Sequence, residues 1–163
     1  MKEMLQQYAA YNFWANQKIT EAILKLDENL YQQTVASSFP SLYATILHML
    51  NAESIWWQRM KLKERIDVPA ENFKGSMQEL VNELLDQNRQ WQEWINNASP
   101  SALEHVFAYQ NNKKEQFKQP IYQMIHHVFN HATYHRGQLV TMMRALGVDK
   151  IPQTDFIAWS RKK

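Results

Sequence analysis

The apolar residues of this chain recur mainly every three or four positions, which is the period of an amphipathic α-helix. Segments of this kind alternate with shorter polar stretches along the whole sequence. The pattern predicts four long helices, which run from about Lys2 to Leu26, from Pro40 to Lys61, from Ser76 to just before Pro100, and from Pro120 to Gly147.

Residues that commonly begin or end helices support three of these boundaries. Pro40 suits the first turn of a helix, where a missing backbone N–H costs nothing. The run Ser76-Met-Gln-Glu79 matches a capping box. Gly147 is a typical residue after the last turn, because it adopts a left-handed conformation without strain.

The third and fourth helices are joined by a long crossover, Asn97–Gln119. Within it, His105–Lys118 alternates apolar and polar residues around a polar turn, a pattern compatible with a short β-hairpin. Only three glycines and five prolines are present, too few for a turn-rich sandwich or barrel. We therefore predict an all-α fold, a four-helix bundle formed by one domain, residues 1–163.

Composition narrows the functional classes. Apolar residues make up 45% and charged residues 21% of the 163 positions, as in ordinary globular proteins. The net charge of +2 and the short basic clusters give no support for a nucleic-acid partner. No run approaches the roughly 18 apolar residues of a membrane span, and no signal peptide is apparent. With no cysteine in the chain, we expect a cytoplasmic protein.

The fourth helix places histidines where core residues are expected. At about 100° per residue, His131 and His135 lie about 40° apart within the apolar stripe. His127 falls at the edge of the stripe, and His126 points nearly the opposite way. The apolar members of the stripe are Ile121, Met124, Val128, Leu139, Met142 and Leu146.

Two inward-facing imidazoles need an explanation, because a buried imidazole is costly unless its nitrogens are paired. A divalent metal would pair both, and the i, i+4 spacing lets His131 and His135 bind one ion. The alternative is that both are hydrogen-bonded core residues.

A metal site needs a third ligand, and the helical pattern does not choose it. His48 lies about 140° from the centre of the apolar face of the second helix. His105 and His127 are other candidates. Glu53 lies on that apolar face, where a carboxylate could be a ligand, a general base or the partner of a buried arginine.

Several stretches of the chain resemble the DinB-like (YfiT-like) family of metal-binding four-helix bundles. These stretches are "YNFWANQKI", "TILHMLNAESIWWQRM", "IHHVFNHATYHRGQLVTMMRALG" and "IPQTDFIAW". The resemblance implies a divalent metal held by His48, His131 and His135 at one end of the bundle. It also implies short strands in the crossover, and it agrees with a homodimer. Among wider relatives, it points to thiol S-transferases that use bacillithiol or mycothiol, and to hydrolases.

A histidine site of this kind suits zinc, nickel, cobalt or iron, and the sequence does not distinguish them. Residues expected around the metal or a substrate pocket are Asn12, Asn16, Glu53, His127 and Tyr134. For Asn12 and Asn16 the alternative is a polar pair satisfied inside the bundle. Arg136 lies off the stripe, which favours a structural salt bridge.

A second apolar strip on the fourth helix suggests that another copy of the chain covers it, giving a homodimer. Its members are Ile125, Phe129, Ala132, Val140 and Met143.

The sequence therefore predicts a metal-dependent enzyme that acts on a small molecule, as a thiol-dependent S-transferase or as a hydrolase, with a low-molecular-weight thiol as the partner that the resemblance implies for the transferase. The alternative is a non-catalytic metal- or ligand-binding, stress-related bundle protein. Di-iron bundles need Glu-x-x-His pairs, which this sequence lacks.

Overall fold

A computed structural model describes residues 1–111 and 113–161 of the chain. In chain order the elements are α1 (Lys2–Ile23), a short 3-10 helix (Glu28–Leu30), α2 (Leu42–Met60), α3 (Pro69–Asn72), α4 (Met77–Asn97), α5 (Pro100–Glu104), β1 (Val106–Gln110), β2 (Gln116–Pro120), α6 (Ile121–Ala145) and α7 (Phe156–Ser160). The four long helices α1, α2, α4 and α6 correspond to the four predicted ones.

Side-chain caps explain where the long helices begin. Ser41 Oγ accepts a hydrogen bond of 3.1 Å from the Ala44 N–H, so α2 starts after Ser41 and not at Pro40. The predicted capping box at α4 is confirmed, because Ser76 Oγ accepts from the Glu79 N–H and the Glu79 carboxylate accepts from the Ser76 N–H. Gly147 follows α6 with a φ of +82°, as the helix ending required.

The crossover contains the predicted hairpin. β1 and β2 pair antiparallel, from Val106 opposite Pro120 to Gln110 opposite Gln116. The short helix α5 precedes them and was not predicted. It begins at Pro100 after Ser99, whose Oγ accepts from the Ala102 N–H at 3.1 Å.

The bundle is not arranged in simple chain order. Both α1 and α2 pack against α4 and against α6, so that α1 and α2 lie diagonally opposite each other. This arrangement places α2 directly beside α6, the helix with the paired histidines.

The core consists of two apolar clusters. The first apolar cluster includes Ile19 and Ile23 of α1, Leu42, Ile46 and Met49 of α2, Leu80 and Leu84 of α4, and Leu139 and Met142 of α6. The second apolar cluster includes Leu5 and Ala9 of α1, Met60 of α2, Trp91 and Ile95 of α4, and Met124, Val128 and Phe129 of α6.

The second apolar strip of α6 is not a free surface, which corrects one prediction. Ile125, Phe129 and Met143 have no exposed area, and Ala132 is 1% exposed. The helices of a single chain already cover them, since α6 packs against both α1 and α2. The expectation of a homodimer therefore loses one of its supports and stays a prediction that rests on the resemblance to the family.

Within residues 1–111 and 113–161, no helix combines the length and the apolar character that crossing a bilayer requires.

Candidate metal centre

Three histidine rings from two neighbouring helices meet at one point. α2 supplies His48, and α6 supplies His131 and His135. The Nε2 atoms of His48 and His131 lie 3.1 Å apart, and those of His131 and His135 lie 3.0 Å apart. One coordinating atom from each ring lies within 4.8 Å of the other two, so the three residues could hold one ion.

Helix geometry explains this convergence. His131 and His135 are one turn apart, so their side chains leave α6 on the same face. Because α2 packs against α6, His48 faces this pair from the edge of the helix interface. His135 is 3% exposed, while His48 and His131 are partly buried. We had expected the site at one end of the bundle, but it lies midway along α6.

The hydrogen bond to Gln138 holds the ring proton of His135 on its Nδ1 atom. The Nδ1 atom of His135 lies 2.7 Å from Gln138 Oε1, and Gln138 Nε2 donates to Ser38 Oγ at 2.7 Å. With this amide orientation, the N–H of Nδ1 donates to Gln138. The Nε2 atom of His135 therefore keeps a free lone pair, as a metal ligand must.

Coordination of a divalent metal explains the positions of the three nitrogens better than hydrogen bonds between the rings do. Ligands about 2.0–2.1 Å from a tetrahedral ion are separated by roughly 3.3 Å, close to the His48–His131 and His131–His135 separations of 3.1 and 3.0 Å. Hydrogen bonding explains the cluster less well. His135 Nε2 carries no proton and can only accept a hydrogen bond. If His131 Nε2 is protonated, it donates to His135 but cannot accept from His48. If it is unprotonated, it accepts from His48 but cannot donate to His135. A cation that accepts all three lone pairs satisfies both close contacts.

The surroundings keep the rings neutral. Burial lowers the pKa of His48 to about 4, with repulsion from a positive charge on His135 as the second cause. Burial likewise lowers the pKa of His131 to about 4, with repulsion from the neighbouring histidines as the second cause. The pKa of His135 is lowered by burial and partly restored by Gln138. Neutral imidazole is the form that binds metals.

Phe39 covers one side of the cluster. Its ring stacks on His48 with centroids 4.1 Å apart and an interplanar angle of 26°, and its centroid lies 5.7 Å from that of His135. Our sequence analysis did not assign a role to Phe39, Ser38 or Gln138. Gln138 had a usable signal, since it follows His135 by three positions on a helix. Phe39 and Ser38 are outside helices and strands and gave no such signal.

Two other predicted site residues border the cluster. The His127 ring centroid lies 5.9 Å from that of His131 and 5.2 Å from the Trp56 ring. Tyr134 meets the His135 ring edge-on at 5.0 Å, although 61% of Tyr134 is exposed. Both therefore lie beside the site and outside the converging trio.

The remaining histidines lie elsewhere. The His126 ring lies 6.0 Å from that of Tyr8 on α1. His105 is exposed at the end of α5, and its backbone carbonyl accepts from the Ile121 N–H. Neither belongs to the three-histidine cluster.

The other predicted site residues, Asn12, Asn16 and Glu53, form a buried hydrogen-bonded layer. Glu53 accepts from Asn12 Nδ2 at 3.4 Å and from Asn88 Nδ2 at 2.6 Å. Asn16 Nδ2 donates to Asn88 Oδ1 at 2.7 Å. Within the described residues, the hydrogen bonds found for these side chains stay inside the core and do not reach the histidines. Their placement agrees with the alternative of a polar group satisfied inside the bundle.

Arg136 completes this layer, although we had expected it to lie off the core. It is 2% exposed, and its Nη1 donates to Asn12 Oδ1 at 2.7 Å and to Asn16 Oδ1 at 2.8 Å. The guanidinium therefore reaches Glu53 through amide side chains, and the structural salt bridge that we had expected for Arg136 is not found among the described residues. Burial raises the pKa of Glu53 to about 8, although Asn12, Arg136, Asn88 and Asn16 all favour its ionised form.

The fold and the converging histidines define a four-helix bundle with a candidate three-histidine metal site between α2 and α6. The chain belongs to the DinB family, whose sequence model matches residues 1–162. Among curated proteins, Protein DinB of Bacillus subtilis (strain 168) is 28% identical over 153 residues, which cover 90% of this chain and 87% of that protein. The resemblance inferred from the sequence motifs is thus confirmed.

Solved structures of similar proteins support the fold. A DinB-like protein from Bacillus cereus has a TM-score of 0.73 and 18% identity, covering 93% of this chain and 95% of its own. YfiT from Bacillus subtilis has a TM-score of 0.67 and 12% identity, with 90% of each chain covered. YfiT is described as a probable metal-dependent hydrolase with an unusual four-helix bundle topology. At these identities, the likeness establishes the fold of the present chain.

Proposed function

We propose that this protein is a metal-dependent enzyme that acts on a small molecule at the three-histidine site. The observation that carries the proposal is the convergence of the Nε2 atoms of His48, His131 and His135. Three protein ligands leave at least one coordination position open, which is typical of catalytic rather than structural sites. When bound, a divalent ion lowers the pKa of a water molecule or a thiol at that position.

Hydrolysis is the first reaction class that we propose. Its support is the fold likeness to YfiT, which is itself described as a probable metal-dependent hydrolase. Transfer to a thiol is the second reaction class. The chain contains no cysteine, so no internal thiolate can fill an open position on the metal. A low-molecular-weight thiol would therefore have to arrive as a substrate.

A cavity further along α2 from His48 offers room for such a molecule. It has a volume of about 850 Å³, and its lining includes Asn51, Ile55 and Arg59 of α2 and Tyr109 of β1. Asn51 and Ile55 follow His48 by three and seven positions, so they continue the face of α2 that carries this histidine. None of the three histidines lines this cavity, so it supports a binding region on the same face of α2 as His48 and not at the metal itself.

Metal content is the first test. The parent protein, purified without an affinity tag, is expected to bind about one equivalent of zinc, nickel, cobalt or iron per chain, like other three-ligand sites. His48→Ala, His131→Ala and His135→Ala should each lose this metal and remain helical. His126→Ala is the matched control and should keep it. Unchanged metal content in the three variants would contradict the site.

Catalysis is tested separately with the reconstituted protein. Ester, amide and other hydrolysable compounds would be screened for metal-dependent hydrolysis, and electrophiles would be screened for conjugation to added thiols. Turnover that disappears in His131→Ala but persists in His126→Ala would support an enzyme. Stoichiometric metal without turnover in either screen would favour the alternative, a non-catalytic metal- or ligand-binding, stress-related protein.

A further inference from the structure

We propose that Gln138 is a positioning residue that prepares His135 for metal binding and ties it to the segment carrying Phe39. The inference rests on the proposed metal site. It assigns a role to three residues, Gln138, Ser38 and Phe39, that do not themselves bind the metal.

The amide of Gln138 has two different partners. Its oxygen accepts from His135 Nδ1 at 2.7 Å, and its nitrogen donates to Ser38 Oγ at 2.7 Å. If the amide were reversed, its N–H would face Nδ1, and the proton of the neutral His135 ring would move to Nε2. A protonated Nε2 cannot bind a metal. The orientation of one amide thus decides whether His135 is ready to coordinate.

Ser38 contacts the Gln138 amide from outside α6. Its hydroxyl oxygen accepts from the Gln138 amide nitrogen, which leaves the amide oxygen facing His135. Ser38 and Gln138 are 100 positions apart in sequence, so this hydrogen bond joins α6 to the segment before α2.

Phe39 directly follows Ser38 and contacts histidines of both helices. It stacks on His48 of α2 at 4.1 Å and approaches His135 of α6 at 5.7 Å. The segment is held by its own hydrogen bond, from the Val35 N–H to the Pro40 carbonyl at 2.9 Å, and by the Ser41 cap of α2. Gln138 therefore holds this segment against the cluster at the position where Phe39 closes one side.

Zinc binding tests the inference without an activity assay. In Gln138→Leu, which keeps the bulk but removes both hydrogen bonds, we expect the affinity for zinc to fall by about 10- to 100-fold. Gln138→Glu restores an acceptor for His135 Nδ1 and should bind zinc about as well as the parent. Gln123→Leu, an exposed change of the same type on α6, should leave the affinity unchanged.

The ring proton of His135 gives a second readout that a purely structural role would not move. Nitrogen NMR of the metal-free parent should show the proton on Nδ1, and Gln138→Leu should show a mixture of both tautomers. Ser38→Ala should retain the His135 hydrogen bond but exchange the Val35 amide hydrogen, which bonds to the Pro40 carbonyl, faster. Unchanged exchange in Ser38→Ala would overturn the tie to Phe39.

The outcomes separate this inference from the proposed function. A parent protein that binds no zinc, nickel, cobalt or iron would overturn the metal site and the positioning role together. A parent that binds zinc, with equal affinity and an unchanged tautomer in Gln138→Leu, would overturn the role of Gln138 alone.

Discussion

At the scale of single residues, the histidines of the site are held neutral by their surroundings. Burial lowers the pKa of His48 and of His131 to about 4. A histidine in an unfolded chain has a pKa of about 6.5, so the unfolded state takes up protons first as the pH falls. The stability that the neutral rings contribute is therefore fully present above the unfolded pKa and is lost as the pH falls through the folded values.

We accordingly predict that the metal-free protein becomes less stable between pH 6.5 and pH 4, and that these two rings contribute to the loss. The thermal unfolding midpoint, measured after chelation, should fall over this range. The double variant His48→Gln/His131→Gln should show a shallower fall, whereas His126→Gln should follow the parent. Identical profiles for the parent and the double variant would show that these rings do not govern the acid response.

Residue types and spacing revealed only part of the site. His131 and His135 could be predicted because two imidazoles recur at i, i+4 on an apolar helical stripe. His48 could not be chosen by helical pattern, since its position depends on which helices become neighbours. Resemblance to the family supplied it. Phe39 lies in a segment without a periodic pattern, and only the tertiary structure shows that it stacks on His48.

At the scale of elements, the start of α4 depends on a reciprocal cap. Ser76 Oγ accepts from the Glu79 N–H at 3.2 Å, and Glu79 Oε2 accepts from the Ser76 N–H at 2.7 Å. We predict that Ser76→Ala lowers the free energy of unfolding by about 1 kcal/mol, because the first turn loses an acceptor for its N–H groups. Urea unfolding measures the loss.

An exposed position on the same helix provides the control. Gln90→Ala lies in the middle of α4 and should change the free energy of unfolding by less than about 0.5 kcal/mol. A similar value for Ser76→Ala would mean that the capping box contributes little to the stability of the folded bundle.

The long helices and the hairpin were predictable, whereas the short helices were not. A helix of about 20 residues repeats its apolar pattern over several turns, so its type is clear even when its ends are displaced by a few positions. α1, for example, ends at Ile23 and not at Leu26. α3, α5 and α7 are too short to show a period, and their positions depend on packing against the bundle.

At the scale of the whole molecule, the homodimer remains a prediction. The strip that suggested it is buried within one chain, but large apolar side chains such as Phe156 and Ile157 are 43% and 55% exposed. Light scattering at micromolar concentration should give about twice the 19.4 kDa mass of one chain. A mass equal to one chain would overturn the prediction.

The buried polar layer divides the core of the bundle. Along α1, Asn12 and Asn16 lie between residues of the second and the first apolar clusters, and Glu53 divides α2 in the same way. Because arginine can only donate hydrogen bonds, Arg136 orients the amides of Asn12 and Asn16. Their nitrogens then point toward Glu53 and Asn88. Such a layer fixes how the four long helices are aligned, since sliding one helix would leave buried polar groups without partners.

This layer leads to a prediction about coupling between its two ionisable members. Glu53→Leu and Arg136→Met should each lower the free energy of unfolding by about 3–5 kcal/mol, because each leaves the other group buried without its counterpart. The double variant should lower the free energy of unfolding by clearly less than the sum of the two single variants, as expected for residues in one network.

Gln87→Met is the control, since Gln87 is buried and the structure shows no hydrogen-bond partner for its Nε2 among the described residues. It should be nearly neutral. Urea unfolding of the four variants at pH 9, which lies above the Glu53 pKa of about 8 and so keeps its carboxyl group ionised, provides the measurement. Additive costs for Glu53 and Arg136 would mean that the amides do not link them, and that the alignment of the helices depends on the apolar clusters instead.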